Sequence, residues 1–416
     1  MNNSQIKSDE NNRPLNVLFL ITSMEVGGAE ILLVNTMRRF DPQQIVPSIG
    51  CLKHAGELGE QIASEFKVHV NLINGKYDAL VLRRLKRLMK SEQIDAVITV
   101  GAGDKMFWGR LAARQARVPV ILSALHSTGW PDGVGRLNRM LTPITDGFIA
   151  VAEGHRQYLV REEKFPEHKV HLIPNGVDTG RFVYSQPSRD QWRQEYSIPC
   201  DSPVCGIVAA LRPEKNHELF LQLCETVGRK VPDAHFLIVG DGEQRESLMA
   251  IHRGLSCRDR IHFTGNSHDI PGVLSAMDMF ALTSHNEASP VSILEAMSVG
   301  MPVVAPRVGS IDQAVIEGKT GFLAEKGDHD QFAKWWTQVL SDEAQRSELG
   351  KAARQHVVEY GSLETMTDGY TQLVQQVFER KTGRTVSPIP TTESSSVPAL
   401  LLRFNANWHL IRQKPA

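Results

Sequence analysis

The stretch HNEASPVSILEAMSVGMPVVAPRVGS, residues 285–310, carries two structural signals in one run. Glu287 falls in a loop, Ser289 and Pro290 stand where a helix would start, and Glu295 follows two turns into that helix. Beyond Gly300, the apolar run Pro302–Ala305 has the length and composition of a buried strand. Helix and buried strand in alternation are the repeating unit of an α/β sheet, so the stretch predicts that class. The N–H groups near Val291 and Ser292 would face a diphosphate at the helix mouth. Carboxylates such as Glu287 and Glu295 are good acceptors for the hydroxyl groups of a sugar or ribose.

Working outward, similar apolar runs recur on both sides. In the first half they are Leu15–Ile21, Val46–Ile49, Val68–Leu72, Ala96–Val100, Val120–Leu122 and Phe148–Val151. In the second half they are Val204–Ala209, His235–Val239, Ile261–Thr264 and Met279–Leu282. Helix-like segments lie between most of them, the first from Ile31 to Phe40. The turn-rich segment Pro174–Pro187 interrupts the alternation as an interdomain linker would. A chain of 416 residues exceeds one ordinary core, so two doubly wound domains in tandem are expected. The expected divisions are a disordered leader over 1–13, an N-terminal domain over 14–185 and a C-terminal domain over 186–360. A final amphipathic helix over 361–382, crossing back to the N-terminal domain, and a linker with an amphipathic tail over 383–416 complete the chain.

Composition removes several classes of function. Lys plus Arg number 46 against 47 for Asp plus Glu, so no broad positive field recruits nucleic acid. Five cysteines without a C-x-x-C pair spell out neither a disulfide framework nor a zinc site. The polar start MNNSQIKSDENNRP is no signal peptide and no later run reaches the length of a membrane span, which predicts a cytoplasmic protein. GDGEQR at 240–245 is not G-x-G-x-x-G, which argues against a dinucleotide-dependent dehydrogenase, and the absence of G-x-x-x-x-G-K-[ST] removes a P-loop nucleotidase. In the tail, Leu400, Leu401, Leu402, Phe404, Trp408, Leu410 and Ile411 are interspersed with Arg403 and His409, a pattern suited to peripheral contact with an anionic membrane through 398–416. Gly27-Gly28, after the first strand and before a helix, offers main chain that a phosphate or sugar can approach without meeting a Cβ.

Two glutamates separated by seven residues, then Ala-Met, Gly300, Pro302-Val303-Val304 and Gly309, resemble the signature of the retaining glycosyltransferases of family 4. GGAE at 27–30, IPNGVD at 173–178, RPEKNHE at 212–218, VGDGE at 239–243 and FTG at 263–265 agree in order and spacing, and the resemblance runs from about Leu15 to about Lys381. It implies the GT-B architecture: two Rossmann-like doubly wound domains facing across a cleft, the C-terminal one holding a nucleotide-diphosphate sugar and the N-terminal one a glycan or lipid-linked acceptor. On that resemblance Glu295 holds the ribose hydroxyls, Glu287 the donor sugar and Lys215 the diphosphate, while His126 reaches the donor sugar from the N-terminal side. Gly27, Gly28, Ser289, Pro290, Val291 and Ser292 complete the donor site. The resemblance also implies retention of anomeric configuration, with UDP the favoured base and no cofactor or metal. Lys215, Arg212 and the helix N-terminus take the place of a cation at the diphosphate.

There are two departures from the family pattern. Glu287 is followed by Ala288 where many relatives have glycine, and Ala210 stands five residues before Lys215 where many place an arginine. If the chain past Val204–Ala209 stays extended, the side chains of residues 210 and 212 leave on one side and Arg212 replaces the absent arginine. A GT-B epimerase or phosphorylase, and a non-catalytic subunit of the same fold, are the rival functions, since fold alone does not settle reaction class.

Overall fold

The computed structural model describes residues 13–25, 27–75, 78, 80–101, 104–125, 136 and 138–386. His126 and the tail 398–416 lie outside the described residues. The N-terminal half holds β1 (Leu15–Ile21), β2 (Ile45–Cys51), β3 (Lys67–His69), β4 (Ala96–Val100), β5 (Val120–Ala124), β6 (Gly147–Ala150) and β7 (Val170–Leu172), with α1 (Gly28–Arg39), α2 (Val81–Ser91) and α3 (Asp104–Ala116) among the helices joining them. The C-terminal half holds β8 (Val204–Val208), β9 (His235–Val239), β10 (Ile261–Gly265), β11 (Met279–Ala281), β12 (Val303–Pro306) and β13 (Gly321–Ala324), with α4 (His217–Lys230) after β8 and α5 (Val291–Val299) between β11 and β12. The long α6 (Leu363–Thr382) follows the second sheet.

Both sheets are wholly parallel, in the orders β3-β2-β1-β4-β5-β6-β7 and β10-β9-β8-β11-β12-β13. Helices cover both faces, which is why β1 and β4 are buried almost throughout and read as continuous apolar runs. In each sheet the order reverses once, between β1 and β4 and between β8 and β11. A crevice opens beyond the strand ends at such a switch point. This is the expected pair of Rossmann-like domains of the GT-B architecture. The helix expected at Ile31 begins three residues earlier, at Gly28, and β7 and β13 are strands that the apolar runs did not announce.

Both ends of the described chain are tied to the first domain, the first from one residue earlier than expected and the second by the final helix crossing back as expected. Arg13, assigned to the leader, forks onto Asp95 with bonds of 2.7 and 2.8 Å, and Asp95 also accepts the Asn16 N–H at 2.9 Å. A charge-assisted two-point contact fixes the chain from residue 13 onward. At the other end Leu363, Met366, Tyr370, Leu373, Val374, Val377 and Phe378 of α6 join the core of the N-terminal sheet. Val177 and Ser362 form a parallel bridge, closed by Val177 N–H to the Gly361 carbonyl and Leu363 N–H to the Val177 carbonyl, each 2.9 Å. The two covalent crossings between the domains therefore lie against each other.

Candidate functional site

Three loops at the second switch point build the site. The first follows β8, where Leu211 N–H donates to the Asp241 carbonyl at 3.0 Å and Gln244 N–H to the Leu211 carbonyl at 3.0 Å. Gly240, at φ +137, lets this loop and the one after β9 close up, since a Cβ there would overlap the Ala209 carbonyl. The chain is not extended at 210–212. It bends at Leu211, with Arg212 N–H donating back to the Ala210 carbonyl at 2.8 Å, so the shared exposure of residues 210 and 212 does not come from an extended chain. The cause is packing: buried Leu211 turns inward while Ala210 and Arg212 both stay exposed.

A short turn, Pro213–Lys215, then delivers Lys215, and Asn216 takes the left-handed conformation at φ 52 to open α4. Buried Thr283, just past β11, donates its hydroxyl to the carbonyls of Lys215 and Asn216 at 3.1 and 2.9 Å. That bond locks the first loop to the third. Lys215 Nζ meets Glu287 Oε1 at 2.5 Å, and Ser284 Oγ donates to the same oxygen at 2.7 Å. The Glu287 side chain is only 10% exposed, and its Oε2 has no partner among the described residues. Gly309, at φ +57, is required for this arrangement because any Cβ would overlap the Glu287 carbonyl oxygen.

The third loop ends at α5. Pro290, at φ −71 and ψ 116, is the residue before the helix rather than its first turn, and no side chain caps it. The N–H groups of Val291 and Ser292 thus open the helix toward the cleft with the positive end of its dipole. Glu295 stands one turn further in. It keeps part of its surface accessible, yet burial pushes its carboxyl up to about 7, with the charge of Arg181 pulling the other way.

The first domain supplies the opposing wall. Gly27 is extended at φ −156 and precedes α1, and a Cβ on Gly28 would meet nothing within 4 Å. Glu30, in the first turn of α1, folds its carboxylate over Gly27. Burial raises its pKa, the charge of Arg212 lowers it and Glu25 raises it again. Arg212 of the second domain therefore acts on Glu30 of the first. Further contacts close the cleft: Asn175 Nδ2 donates to the Ser289 carbonyl at 3.0 Å, Glu153 N–H donates to Gln313 Oε1 at 2.7 Å, and Val291 packs against the N-terminal core.

The structure thus brings Lys215, Glu287, Ser289, Pro290, Val291, Ser292 and Glu295 together, with Arg212 and the Gly27-Gly28 turn facing them. Ser284, Thr283, Glu30 and Asn175 were not assigned from sequence. Glu30 and Asn175 lie inside GGAE and IPNGVD, so the motifs were visible while their contacts were not. An Asp-x-Asp sequence occurs at Asp328–Asp330, but Asp328 Oδ1 accepts Gln331 N–H at 3.0 Å and caps a helix after the edge strand β13.

This pairing of Rossmann-like domains with a lysine, two glutamates and a helix mouth at the switch point defines a GT-B glycosyltransferase site. Residues 26–181 match the profile described as Glycosyltransferase Family 4, and residues 188–356 the one described as Glycosyl transferases group 1. The chain belongs to the family 4 glycosyltransferases. It is 28% identical over 276 residues to the UDP-Gal:alpha-D-GlcNAc-diphosphoundecaprenol alpha-1,3-galactosyltransferase of Escherichia coli, covering 64% of this chain and 71% of that one. It is 26% identical over 287 residues to the GDP-mannose-dependent alpha-(1-6)-phosphatidylinositol monomannoside mannosyltransferase of Mycolicibacterium smegmatis, covering 66% and 74%. Among solved structures, HepE of Anabaena in complex with UDP superposes with a TM-score of 0.78 at 20% identity, covering 87% of this chain and all of that one.

Proposed function

We propose that this glycosyltransferase moves a hexosyl group from a nucleoside diphosphate sugar, UDP favoured, to a lipid-linked or glycan acceptor, with retention of configuration and without a metal ion. The observation that carries the reading is the Lys215–Glu287 pair at the mouth of α5. A cation and a row of N–H groups meet the diphosphate, while Glu287 Oε2 can accept from a sugar hydroxyl. Glu295 takes the ribose hydroxyls, Arg212 adds a second cation, and Gly27-Gly28 admits the donor from the other side. His126 keeps its role as the group that reaches the donor sugar. As the anomeric C–O bond to the diphosphate breaks, the acceptor oxygen bonds to the same face and its proton passes to the departing phosphate oxygen. Lys215 and the helix N–H groups stabilise that oxygen's charge. The names of the two curated relatives include a polyprenyl-linked and a phosphatidylinositol-linked acceptor, which supports glycolipid or surface-polysaccharide assembly.

NMR of the product anomer tests the reading. An α-linked product from an α-linked donor is expected, at a rate undiminished in EDTA; an inverted centre, or activity restored only by manganese, overturns it. Nucleotide release without any acceptor would point to the epimerase. A purified chain inactive alone would point to a subunit needing a partner.

A further inference from the structure

Ser284 is a polar residue at a depth where packing favours an apolar one. It follows β11 and the buried pair Leu282-Thr283, and it is itself only 1% exposed. A hydroxyl withdrawn from water needs a hydrogen-bond partner. Ser284 Oγ has one in Glu287 Oε1, at 2.7 Å, and the same oxygen receives Lys215 Nζ at 2.5 Å. One carboxylate oxygen therefore takes both donors, while Oε2 is left open among the described residues.

The backbone around Ser284 is pinned on both sides to the turn that carries Lys215. On one side Thr283 Oγ1 holds the carbonyls of Lys215 and Asn216, and on the other His285 N–H donates to the Glu214 carbonyl at 2.8 Å. Just upstream, Leu282 N–H donates to the Val304 carbonyl at 3.0 Å, which ties the same segment to β12. Residues 283–285 thus lie along 214–216, and the hydroxyl in the middle is aimed at Glu287. The main chain of Glu287 is set separately, by the close approach of Gly309 to its carbonyl. A glutamate side chain has several rotatable bonds beyond that point, so a contact at the carboxylate itself decides where Oε2 faces.

The two donors on Oε1 respond differently to a diphosphate. Lys215 Nζ is a charge on a long flexible stem, in a side chain that is 25% exposed. Phosphate oxygens carry more charge than a single carboxylate and compete for its N–H groups. The Ser284 hydroxyl is neutral, buried and on a short stem, so it cannot follow. Once Lys215 turns toward the diphosphate, Ser284 is the donor that keeps Oε1 in place and Oε2 facing the sugar hydroxyls.

We propose that Ser284 is a positioning residue for sugar transfer: it holds the Glu287 carboxylate to the donor sugar while the diphosphate engages Lys215. This rests on the reading of Glu287 and Lys215 as ligands of the donor sugar and the diphosphate. The test titrates the full chain by calorimetry with UDP-galactose, UDP-glucose, GDP-mannose and ADP-glucose, then with the bare nucleoside diphosphate of whichever sugar binds. The quantity read is the ratio of the two affinities, because only the nucleotide sugar meets Glu287. Ser284→Ala should lower that ratio about tenfold, the low end for losing a hydrogen bond to a charged group, with affinity for the bare diphosphate held within about twofold. Ser284→Thr keeps the hydroxyl and should restore the parent ratio. A general loosening of the site would weaken both ligands alike, so an equal loss of the two affinities in Ser284→Ala overturns the proposal. A parent ratio in that variant, or an Ala-like ratio in Ser284→Thr, overturns it as well. In each of these cases the parent still binds its nucleotide sugar and the donor reading stands. A parent that binds none of the four sugars refutes the donor reading, and the role of Ser284 falls with it.

Discussion

Glu295 should make nucleotide binding depend on pH, in a direction fixed by its burial. Its carboxyl is pushed from an ordinary 4.5 up to about 7, so in the free protein it is about nine-tenths protonated at pH 6 and nine-tenths ionised at pH 8. If the ionised form accepts the ribose hydroxyls, nucleotide affinity rises about tenfold from pH 6 to pH 8, with a proton released on binding below pH 7. The same shift sets the stability of the free protein. Between 4.5 and 7 the folded state holds a proton that the unfolded state has lost, so stability falls as pH rises through this window. At 1.36 kcal/mol per unit the loss is at most about 3 kcal/mol, complete above pH 7. Glu295→Gln removes both effects: the variant should be more stable than the parent at pH 8 without nucleotide, and its affinity should be weak and level with pH. Calorimetry with UDP at pH 6 and 8, in two buffers of different ionisation heat, reads affinity and proton release together. Affinity that is level in the parent, with no proton released, would refute the placement of Glu295 at the ribose.

Two further predictions concern the neighbouring basic groups. Arg212→Ala and Lys215→Ala should each lower kcat/KM roughly tenfold to a hundredfold, the loss expected for one charge-assisted phosphate contact. Steady-state kinetics of the double variant should show coupling, since both cations act on one diphosphate; parent-like turnover of Arg212→Ala would leave Lys215 as the only side-chain cation there. His217, fully buried at the start of α4 with no partner among the described residues for either ring nitrogen, has its pKa driven to about 4 by burial and by Lys215. The unfolded state therefore binds the extra proton between pH 6.5 and 4, and stability falls by about 3 kcal/mol as pH drops through that range. His235 is lowered to about 4 as well, and His69, His171, His262 and His356 are shifted in the same direction, so urea titrations of His217→Leu should show this acid loss reduced, not abolished.

The legible part of the fold was the part where burial is two-sided. β1, β4 and β9 begin and end where their runs do, because a strand covered on both faces is apolar at nearly every position, with Asn16, Thr99 and His235 the single polar residue of each. β7 and β13 escaped because they are edge strands of three and four residues, with His171 in one and Gly321 opening the other. In the site, the motifs located Lys215 and Glu287 but not their ion pair. That contact joins residues 72 apart and depends on the Thr283 hydroxyl bridging two carbonyls, which no periodicity encodes. The bend at Leu211 was missed for a related reason. An apolar residue after a strand reads as more strand, and only the packing of the loops after β8 and β9 turns it inward.

The position of Arg212 gains its meaning from how the domains are joined. Gly176 has no room for a Cβ against the Ser362 carbonyl, and Val177 bridges Ser362, so both crossings pass through one narrow place. Arg39, in the last turn of α1, clamps that place by holding Asp178 of one crossing at 2.6 Å and Glu364 beyond the other at 3.4 Å. A rotation of one domain against the other must turn about these few residues, since the chain crosses there and the other described contacts across the cleft are non-covalent. Arg212 and Glu30 lie on the two walls of that cleft. In the free protein the charge of Arg212 helps keep Glu30 ionised despite its burial. If Arg212 binds the donor diphosphate as proposed, it is drawn from Glu30, and the Glu30 carboxyl should then rise further toward its protonated form, with the backbone hydrogen bond left to oppose the shift. Proton uptake on UDP binding that Arg212→Ala abolishes is the expected result; uptake unchanged in that variant would refute the link.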